Sequence, residues 1–147
     1  MTPLLQLENE AAYRAHFEKV YCKNPIITFD GIAVRLRKSD FDHCCYKTER
    51  GGNKKTVFCP IRAARIDWIQ IALKDPNADL RVGWDNIQKR HRPNRRVAII
   101  FGTYVVIIDI LKCRKKARLV TTFVADSGPG KTLTNIKRSP KWPRIQT

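Results

Sequence analysis

Residues 97–124, VAIIFGTYVVIIDILKCRKKARLVTTFV, contain three β-rich segments in a row. These segments are Val97 to Phe101, Tyr104 to Leu111 and Ala117 to Val124. A glycine-threonine link joins the first two, and a basic loop joins the last two. Because consecutive strands with short links form an antiparallel meander, we expect this stretch to build an antiparallel sheet.

Helical patterns precede the sheet in the chain. The segment from Leu7 to Tyr21 favours a helix that ends before Asn24-Pro25. A second helix is predicted from Ile61 to Lys74, because its apolar residues recur at helical spacing after Pro60, a residue typical of the first helical position. Helices first and an antiparallel sheet later predict an α+β fold.

The length of 147 residues is typical of one domain. We therefore interpret residues 1–147 as a single domain, with an N-terminal helix within 1–24 and a basic tail over 126–147. Short β-type runs, Ile26 to Phe29 and Ile32 to Leu36, flank Asp30-Gly31, which is a hairpin signal.

The chain is strongly basic, with 29 Lys and Arg against 13 Asp and Glu, and a formal net charge of +16. Such a charge repels itself in the compact state, so a negatively charged partner is expected. Phosphates release counterions when basic side chains replace them, which makes a polynucleotide, RNA above all, the preferred partner. No apolar run approaches the about 20 residues needed to span a bilayer, so no membrane partner is expected.

The chain has five cysteines, an odd number, and no two of them form a C-x-x-C pair. This pattern argues against a zinc ribbon and favours free thiols in a reducing cytoplasm. The acidic residues are scattered and form no D-x-D pair, so neither a metal nor another cofactor is expected.

Among the residues that could do chemistry, His43 in the segment FDHCCY is the first candidate. Histidine exchanges a proton near neutral pH, which RNA cleavage by the ribose 2′-hydroxyl needs twice. The alternative is a histidine packed in the fold and bonded to the backbone.

Arg62 and Arg65 follow Pro60 and are three positions apart, so both lie on one face of the predicted helix near its N-terminus. Backbone N–H groups and arginine side chains there are suited to hold a phosphate. The alternative is a solvated helix face on which Arg65 pairs with Asp67 or another acid.

Thr121 and Thr122 lie in the last predicted strand, where only one of them is expected to face a given site. A hydroxyl on a sheet face can hold a phosphate oxygen, although threonine is also common in strands for its β-propensity. Tyr104 and Trp84 are candidates for stacking on bases, or are core residues.

Further basic side chains are candidate contacts to nucleic acid. Lys47 lies in a basic turn, and Lys47 or Tyr104 is also a candidate for a second proton role. His91 lies among positive charges in KRHRPNRR, so this stretch, with Arg92 and Arg95, is interpreted as a loop that binds the phosphate backbone. Lys137 and Arg138 are candidates to screen the charge on a transferring phosphate, or belong to a solvated tail.

The order of elements resembles the phage- and toxin-associated nucleases of the barnase–EndoU–colicin–RelE superfamily. The features that carry the resemblance are a predicted strand pair that ends in FDHCCY and the segments FCPIRAARIDWIQIALKDP, YVVII, LVTTFVAD and IKRSPKW, and the resemblance spans residues 26–142. The most specific of them is RAARIDWI, which is similar to an Arg-x-x-Arg-Ile-x-Trp-Ile pattern at the start of a helix in that superfamily.

The resemblance implies N-terminal helices packed on a four- or five-stranded antiparallel sheet, and metal-independent cleavage of RNA that leaves 2′,3′-cyclic phosphate ends. It also implies that His43, Arg62 and Arg65, with Thr121 or Thr122, form the catalytic site. The RNA target, with tRNA among the candidates, and an acidic inhibitor protein would be the partners. Two alternatives need no active site, because net charge alone would explain them: a non-catalytic RNA- or DNA-binding protein, and a basic protein that binds an acidic protein.

Overall fold

The computed structural model describes residues 3–48, 55–85, 89–91, 95–112, 115–125 and 132–142. The helices in these ranges are α1 (Glu10–Tyr21), α2 (Asp40–Cys45), α3 (Pro60–Ala63), α4 (Trp68–Lys74) and α5 (Thr132–Lys137). The strands are β1 (Ile26–Ile27), β2 (Ala33–Arg35), β3 (Tyr46–Thr48), β4 (Lys55–Phe58), β5 (Asp79–Val82), β6 (Trp84–Asp85), β7 (Arg90–His91), β8 (Arg96–Phe101), β9 (Tyr104–Ile110) and β10 (Lys116–Val124). The predicted α+β class is confirmed. Every helix in the described ranges is too short or too polar to cross a bilayer.

The predicted meander is confirmed as the centre of the main sheet. Strands β8, β9 and β10 pair antiparallel in chain order. Gly102, in the link between β8 and β9, has a φ of 64°, a left-handed conformation that glycine adopts without a steric penalty. The predicted hairpin is also present, because β1 pairs antiparallel with β2 across a turn in which Gly31 has a φ of 87°.

The sheet is larger than expected and is not purely antiparallel. It has six strands in the order β1-β2-β10-β9-β8-β5. Strand β2 lies parallel to β10, with Arg35 directly opposite Arg118. The expectation of four or five antiparallel strands is therefore wrong in count and in direction at this seam. The local sequence of β2 predicts a strand but carries no information about which distant strand it joins.

Residues on the two faces of the sheet belong to two apolar clusters. Alternate residues of β8 and β9, such as Ile99 and Val106, pack with α1, α2 and α4 in the main core. The intervening residues, such as Ile100 and Val105, pack with Leu133 of α5 in a smaller second cluster. Complete burial of one such side chain stabilises the fold by about 1.5–3 kcal/mol. One face thus carries the main core, and the other face is only partly covered.

Helix α1 confirms the N-terminal prediction, although it begins three residues later than expected. Asn9 caps it, since its side chain accepts a 2.9 Å hydrogen bond from the backbone N–H of Ala12. The residues before the cap are held by Tyr13, whose hydroxyl accepts from the N–H of Leu7 and donates to the carbonyl of Leu5. The chain therefore enters the helix from an extended segment that packs against it.

The second predicted helix is divided into α3 and α4, with a turn over residues 64–67. The buried Tyr21 hydroxyl donates to the carbonyl of Ile66 (2.6 Å) and accepts from the N–H of Gln70 (3.2 Å). In a continuous helix these two backbone groups would bond to each other. A side chain inserted between them interrupts the helix. The expectation of one helix from Ile61 to Lys74 is wrong for this reason.

Candidate active site at the end of α2

Helix α2 follows strand β2 in the chain and contacts strand β10. The turn that leads into it is fixed by Asp40, a buried residue whose carboxylate accepts a 2.8 Å hydrogen bond from the N–H of Arg37. Helix α2 packs on β10 and on α3. Its C-terminal end, the start of α3 and the adjacent edge of β10 form a surface that we call the α2 corner.

Both predicted threonines bind the last turn of α2. The hydroxyl of Thr121 donates to the carbonyl of His43 (2.8 Å), and that of Thr122 donates to the carbonyl of Cys44 (3.1 Å). Carbonyls at a helix end lack partners within the helix, so these bonds hold α2 on the strand. Both hydroxyls reach the helix end, but only Thr121 lies at the surface, which agrees with the expectation that one of the two side chains faces the site. The pairing of β10 shifts between Leu119 and Thr121.

Thr122 is fully buried, with 0% of its surface exposed. A buried hydroxyl that already donates to a carbonyl cannot contact a substrate, so the prediction of Thr122 as a catalytic residue is corrected to a positioning role. Thr121 is half-buried and remains at the surface of the corner.

His43 lies in the last turn of α2 with its side chain exposed. The interpretation as a histidine packed in the core is therefore wrong. Its own carbonyl is held by Thr121, which fixes the backbone that carries the ring. The structure thus brings His43 and Thr121 together, although they are far apart in the sequence.

Arg62, in α3, reaches the same end of α2. Its guanidinium donates a 2.7 Å hydrogen bond to the carbonyl of Tyr46, the residue that follows the helix. A positive charge next to the C-terminal carbonyls of a helix is favourable. This bond uses one of the five N–H donors of the guanidinium, and the side chain is half-buried at the surface.

Arg65 lies in the turn between α3 and α4, not in the first turn of a long helix. Its guanidinium donates to the carbonyl of Ile61 (2.8 Å) and lies over the ring of Trp68, 5.0 Å from the ring centre. Helix α3 does begin at Pro60, but Arg65 lies beyond its end, so the two arginines do not share the first turn of one long helix. The alternative in which Arg65 pairs with Asp67 is wrong, since the Asp67 carboxylate lies 2.7 Å from Nε2 of His16 instead.

Two buried cysteines lie beneath the corner and do not offer a nucleophile. The N–H of Cys59 donates a 2.7 Å hydrogen bond to the carbonyl of Cys45. Burial raises the pKa of the Cys45 thiol to about 12, and the nearby Cys59 adds to this shift. A thiol that stays protonated at neutral pH is a weak nucleophile. In the described ranges, Cys22, Cys45 and Cys59 are free thiols.

Tyr104 is a core residue, which contradicts its predicted role in stacking on bases. It is fully buried, with 0% exposure, and its ring meets that of Trp68 edge to face at 5.8 Å. Burial raises the pKa of its hydroxyl well above the usual value, so Tyr104 is also excluded from the second proton role. Lys47 is exposed on β3, which follows α2 directly, and remains a candidate.

The other predicted nucleic-acid contacts lie elsewhere. Lys137 and Arg138 are exposed at the end of α5, which covers the sheet face opposite the main core. Arg95 is half-buried just before β8, and Arg92 lies outside the described residues. His91 lies with Nε2 3.1 Å from the Ser139 hydroxyl. The side chain of Trp84 and the tail segments 126–131 and 143–147 are also outside the described part of the chain.

Within the described ranges, no cluster of three or more His, Cys, Asp or Glu residues is arranged to hold a metal ion. The sequence also contains two basic clusters to which residue type alone gives no role, Arg35 to Lys38 and Lys112 to Arg118. The structure brings these two clusters side by side. Their charge was the available signal, and their proximity was not predictable from either cluster alone.

Comparison with protein-family models, curated proteins and solved structures finds no match for this chain. The resemblance to the nuclease superfamily therefore rests on the motifs quoted above.

Proposed function

We propose that this protein is a metal-independent endoribonuclease that cleaves RNA through attack of a ribose 2′-hydroxyl on the adjacent phosphate. The observation that carries the proposal is that His43 and Arg62, from separate segments, are both held at the C-terminal end of α2: Thr121 bonds the carbonyl of His43, and Arg62 bonds the carbonyl of Tyr46. A histidine and a permanent cation at one site are what this reaction needs.

In the proposed reaction, His43 removes the proton from the 2′-hydroxyl. The 2′-oxygen then forms a bond to phosphorus, and the bond from phosphorus to the 5′-oxygen of the next nucleotide breaks. His43 returns the proton to that leaving oxygen. The products are a 2′,3′-cyclic phosphate and a 5′-hydroxyl, and no water or metal is consumed.

Arg62 supports this reaction through charge. The transition state carries additional negative charge on the phosphate oxygens, and a fixed guanidinium stabilises that charge. Because one N–H of Arg62 is already bonded to the carbonyl of Tyr46, the side chain is held in place before the substrate arrives. Preorganised donors of this kind need little rearrangement during the reaction.

The packing of α1, α2 and α4 on one face of an antiparallel meander also supports a barnase-like arrangement, which we include in the proposal. In this interpretation the protein acts in the cytoplasm as a toxin-like or phage-associated nuclease. Its high positive charge would then attract RNA as substrate and an acidic protein as inhibitor.

Incubation of purified protein with total RNA and with a defined tRNA in EDTA tests the proposal. We expect cleavage that leaves 2′,3′-cyclic phosphate ends, and a loss of about 10²–10⁴-fold in the His43→Ala variant. His16→Gln, a histidine change outside the α2 corner, serves as the control and should retain cleavage. Intact RNA in every condition, or full activity in His43→Ala, would overturn the proposal.

A second candidate function is a non-catalytic nucleic-acid-binding protein. It is favoured by the net charge of +16, which requires no active site. Tight, salt-sensitive binding of RNA that remains intact would support this candidate.

A further inference from the structure

Two basic clusters that are distant in the sequence form one groove on the sheet surface. The groove lies at the parallel seam between β2 and β10 and has a volume of about 320 Å³. Its lining consists of Pro25, Ala33, Arg35, Arg37, Leu111, Lys116, Ala117 and Arg118. Four of these residues are cationic and none is acidic.

The pairing register places the cations on the same face. Arg118 lies directly opposite Arg35, and Lys116 lies directly opposite Ala33. Residues two apart in a strand share a face, so Lys116 and Arg118 both project toward the groove. The intervening Ala117 is buried in the main core, which shows that the cations are on the opposite face. Like charges directly opposite one another in a sheet are destabilising, so this arrangement is expected to have a negatively charged partner.

The acids nearby neutralise only part of this charge. The buried carboxylate of Asp109 binds Arg96 at 2.7 and 2.9 Å and lies 3.7 Å from Arg118. The carboxylate of Asp40 lies 3.9 Å from Arg37. Within the described ranges, neither Arg35 nor Lys116 has a carboxylate at ion-pair distance, and both side chains are exposed. Two cations of the groove are therefore available to an external anion.

The shape of the groove suits a chain of phosphates better than a single ion. Small side chains such as Ala33 leave space between the cations. Leu111, with 37% of its surface exposed, adds an apolar wall to the groove. A volume of about 320 Å³ is at the lower end of the range of ligand pockets. An apolar wall beside phosphate-binding cations matches a nucleotide, which has a flat base attached to a charged backbone.

The groove also lies near the α2 corner, because both include residues of β10. Thr121 follows Arg118 on the same strand, and a strand rises about 3.3 Å per residue, so the two positions are about 10 Å apart. The chain that leaves Arg35 on β2 runs directly into α2. One RNA strand can therefore contact both surfaces.

We propose that the β2–β10 groove is a binding site for the phosphate backbone of single-stranded RNA, beside the α2 corner. The identity of the polymer rests on the proposed function, whereas the presence of an anion site rests on the groove itself. Arg35 and Lys116 bind phosphates directly, Arg118 adds charge at the end nearer the corner, and the apolar wall packs against a base.

The test measures binding of a fluorescent 2′-O-methyl oligoribonucleotide of about twelve nucleotides, a length within the range bound by single-strand modules. This probe lacks the 2′-hydroxyl, so binding is measured without cleavage. The double variant Arg35→Gln/Lys116→Gln is compared with Lys19→Gln/Lys74→Gln, which removes the same charge from exposed positions on α1 and α4.

We expect the groove variant to bind about tenfold more weakly, and the slope of log affinity against log salt to fall by about 1.4 because each phosphate contact contributes about 0.7. The control variant should change neither quantity by as much. Equal losses in the two variants would show that only net charge matters and would overturn the proposal. Displacement of the probe by polyglutamate as efficiently as by RNA would also overturn it, in favour of an acidic protein partner.

The binding result and the cleavage result separate the two proposals. If the groove variant loses affinity while the wild-type protein never cleaves RNA, the groove is supported and the nuclease is not. If cleavage occurs and the groove variant binds as tightly as the wild type, the nuclease is supported and the groove is not.

Discussion

The α2 corner and the β2–β10 groove use similar polar side chains in opposite ways. In the corner, the side chains of Thr121, Thr122 and Arg62 donate hydrogen bonds to backbone carbonyls. In the groove, Arg35 and Lys116 face solvent, and the described structure gives neither of them an acidic partner. The hydrogen bonds of the corner thus fix the positions of its side chains, whereas the exposed cations of the groove attract negative charge. Changes in the corner should alter stability and cleavage, whereas changes in the groove should alter affinity and its salt dependence.

The largest effect on stability is expected for the ion pair between Asp109 and Arg96, which lies next to the groove. Asp109→Ala removes the buried partner of Arg96 and should lower the free energy of unfolding by about 3–5 kcal/mol, because the arginine is left without its counter-charge. Urea denaturation followed by circular dichroism measures this loss.

The matched control for that variant is Asp79→Ala, on β5 of the same sheet. Asp79 binds Arg81 at 2.9 Å but is 33% exposed, so solvent screens the pair and the loss should be below about 1 kcal/mol. Equal losses of unfolding free energy in the two variants would contradict the explanation that burial of Asp109 makes its ion pair with Arg96 strong.

The threonines of the corner should differ from each other. Thr122→Val leaves the Cys44 carbonyl without its partner in a buried site and should cost about 1–3 kcal/mol of stability. Thr121→Val, at a half-exposed site that water can reach, should cost about 0.5–1.5 kcal/mol. Thermal denaturation of both variants, with Thr122→Ser as a variant that keeps the hydroxyl, provides the comparison. A larger loss for Thr121→Val would reverse our assignment of which hydroxyl anchors α2.

The break between α3 and α4 should depend on a single hydroxyl. Tyr21→Phe removes the group that bonds both Ile66 and Gln70, and should destabilise the fold by about 1–2 kcal/mol because two backbone groups lose a partner. Tyr13→Phe, which also removes a hydroxyl bonded to two backbone groups but in the segment before α1, is the control and should leave helix content unchanged. Unchanged stability with increased helix content in Tyr21→Phe would contradict the predicted loss of stability, because Ile66 and Gln70 would then bond to each other.

The smallest effect is expected at Tyr104. Its hydroxyl is buried and, within the described ranges, has no partner of hydrogen-bond geometry, although the Thr122 hydroxyl lies nearby. Tyr104→Phe should therefore change the free energy of unfolding by less than about 1 kcal/mol, and should leave RNA affinity unchanged. A clear loss of affinity in this variant would show that Tyr104 reaches the ligand after all.

Local patterns predicted α1, the meander β8–β10 and the turn at Gly31, because caps, breakers and apolar runs act over a few residues. They did not predict that Thr121 and Thr122 would both bind α2, since that depends on a shift in strand pairing and on a helix from another part of the chain. His43 was predicted as a site residue from residue type alone, whereas its position at the helix end that Arg62 contacts came only from the fold.

The sequence by itself determined the α+β class, the central strands and a charge of +16 distributed in separate clusters. The tertiary structure alone decided that Arg35 would lie opposite Arg118, that Tyr104 would be buried, and that a tyrosine hydroxyl would divide a helix. The physical reason is that propensity and periodicity act between near neighbours in the chain. The pairing of a parallel seam, by contrast, is fixed by which distant surfaces can be buried together.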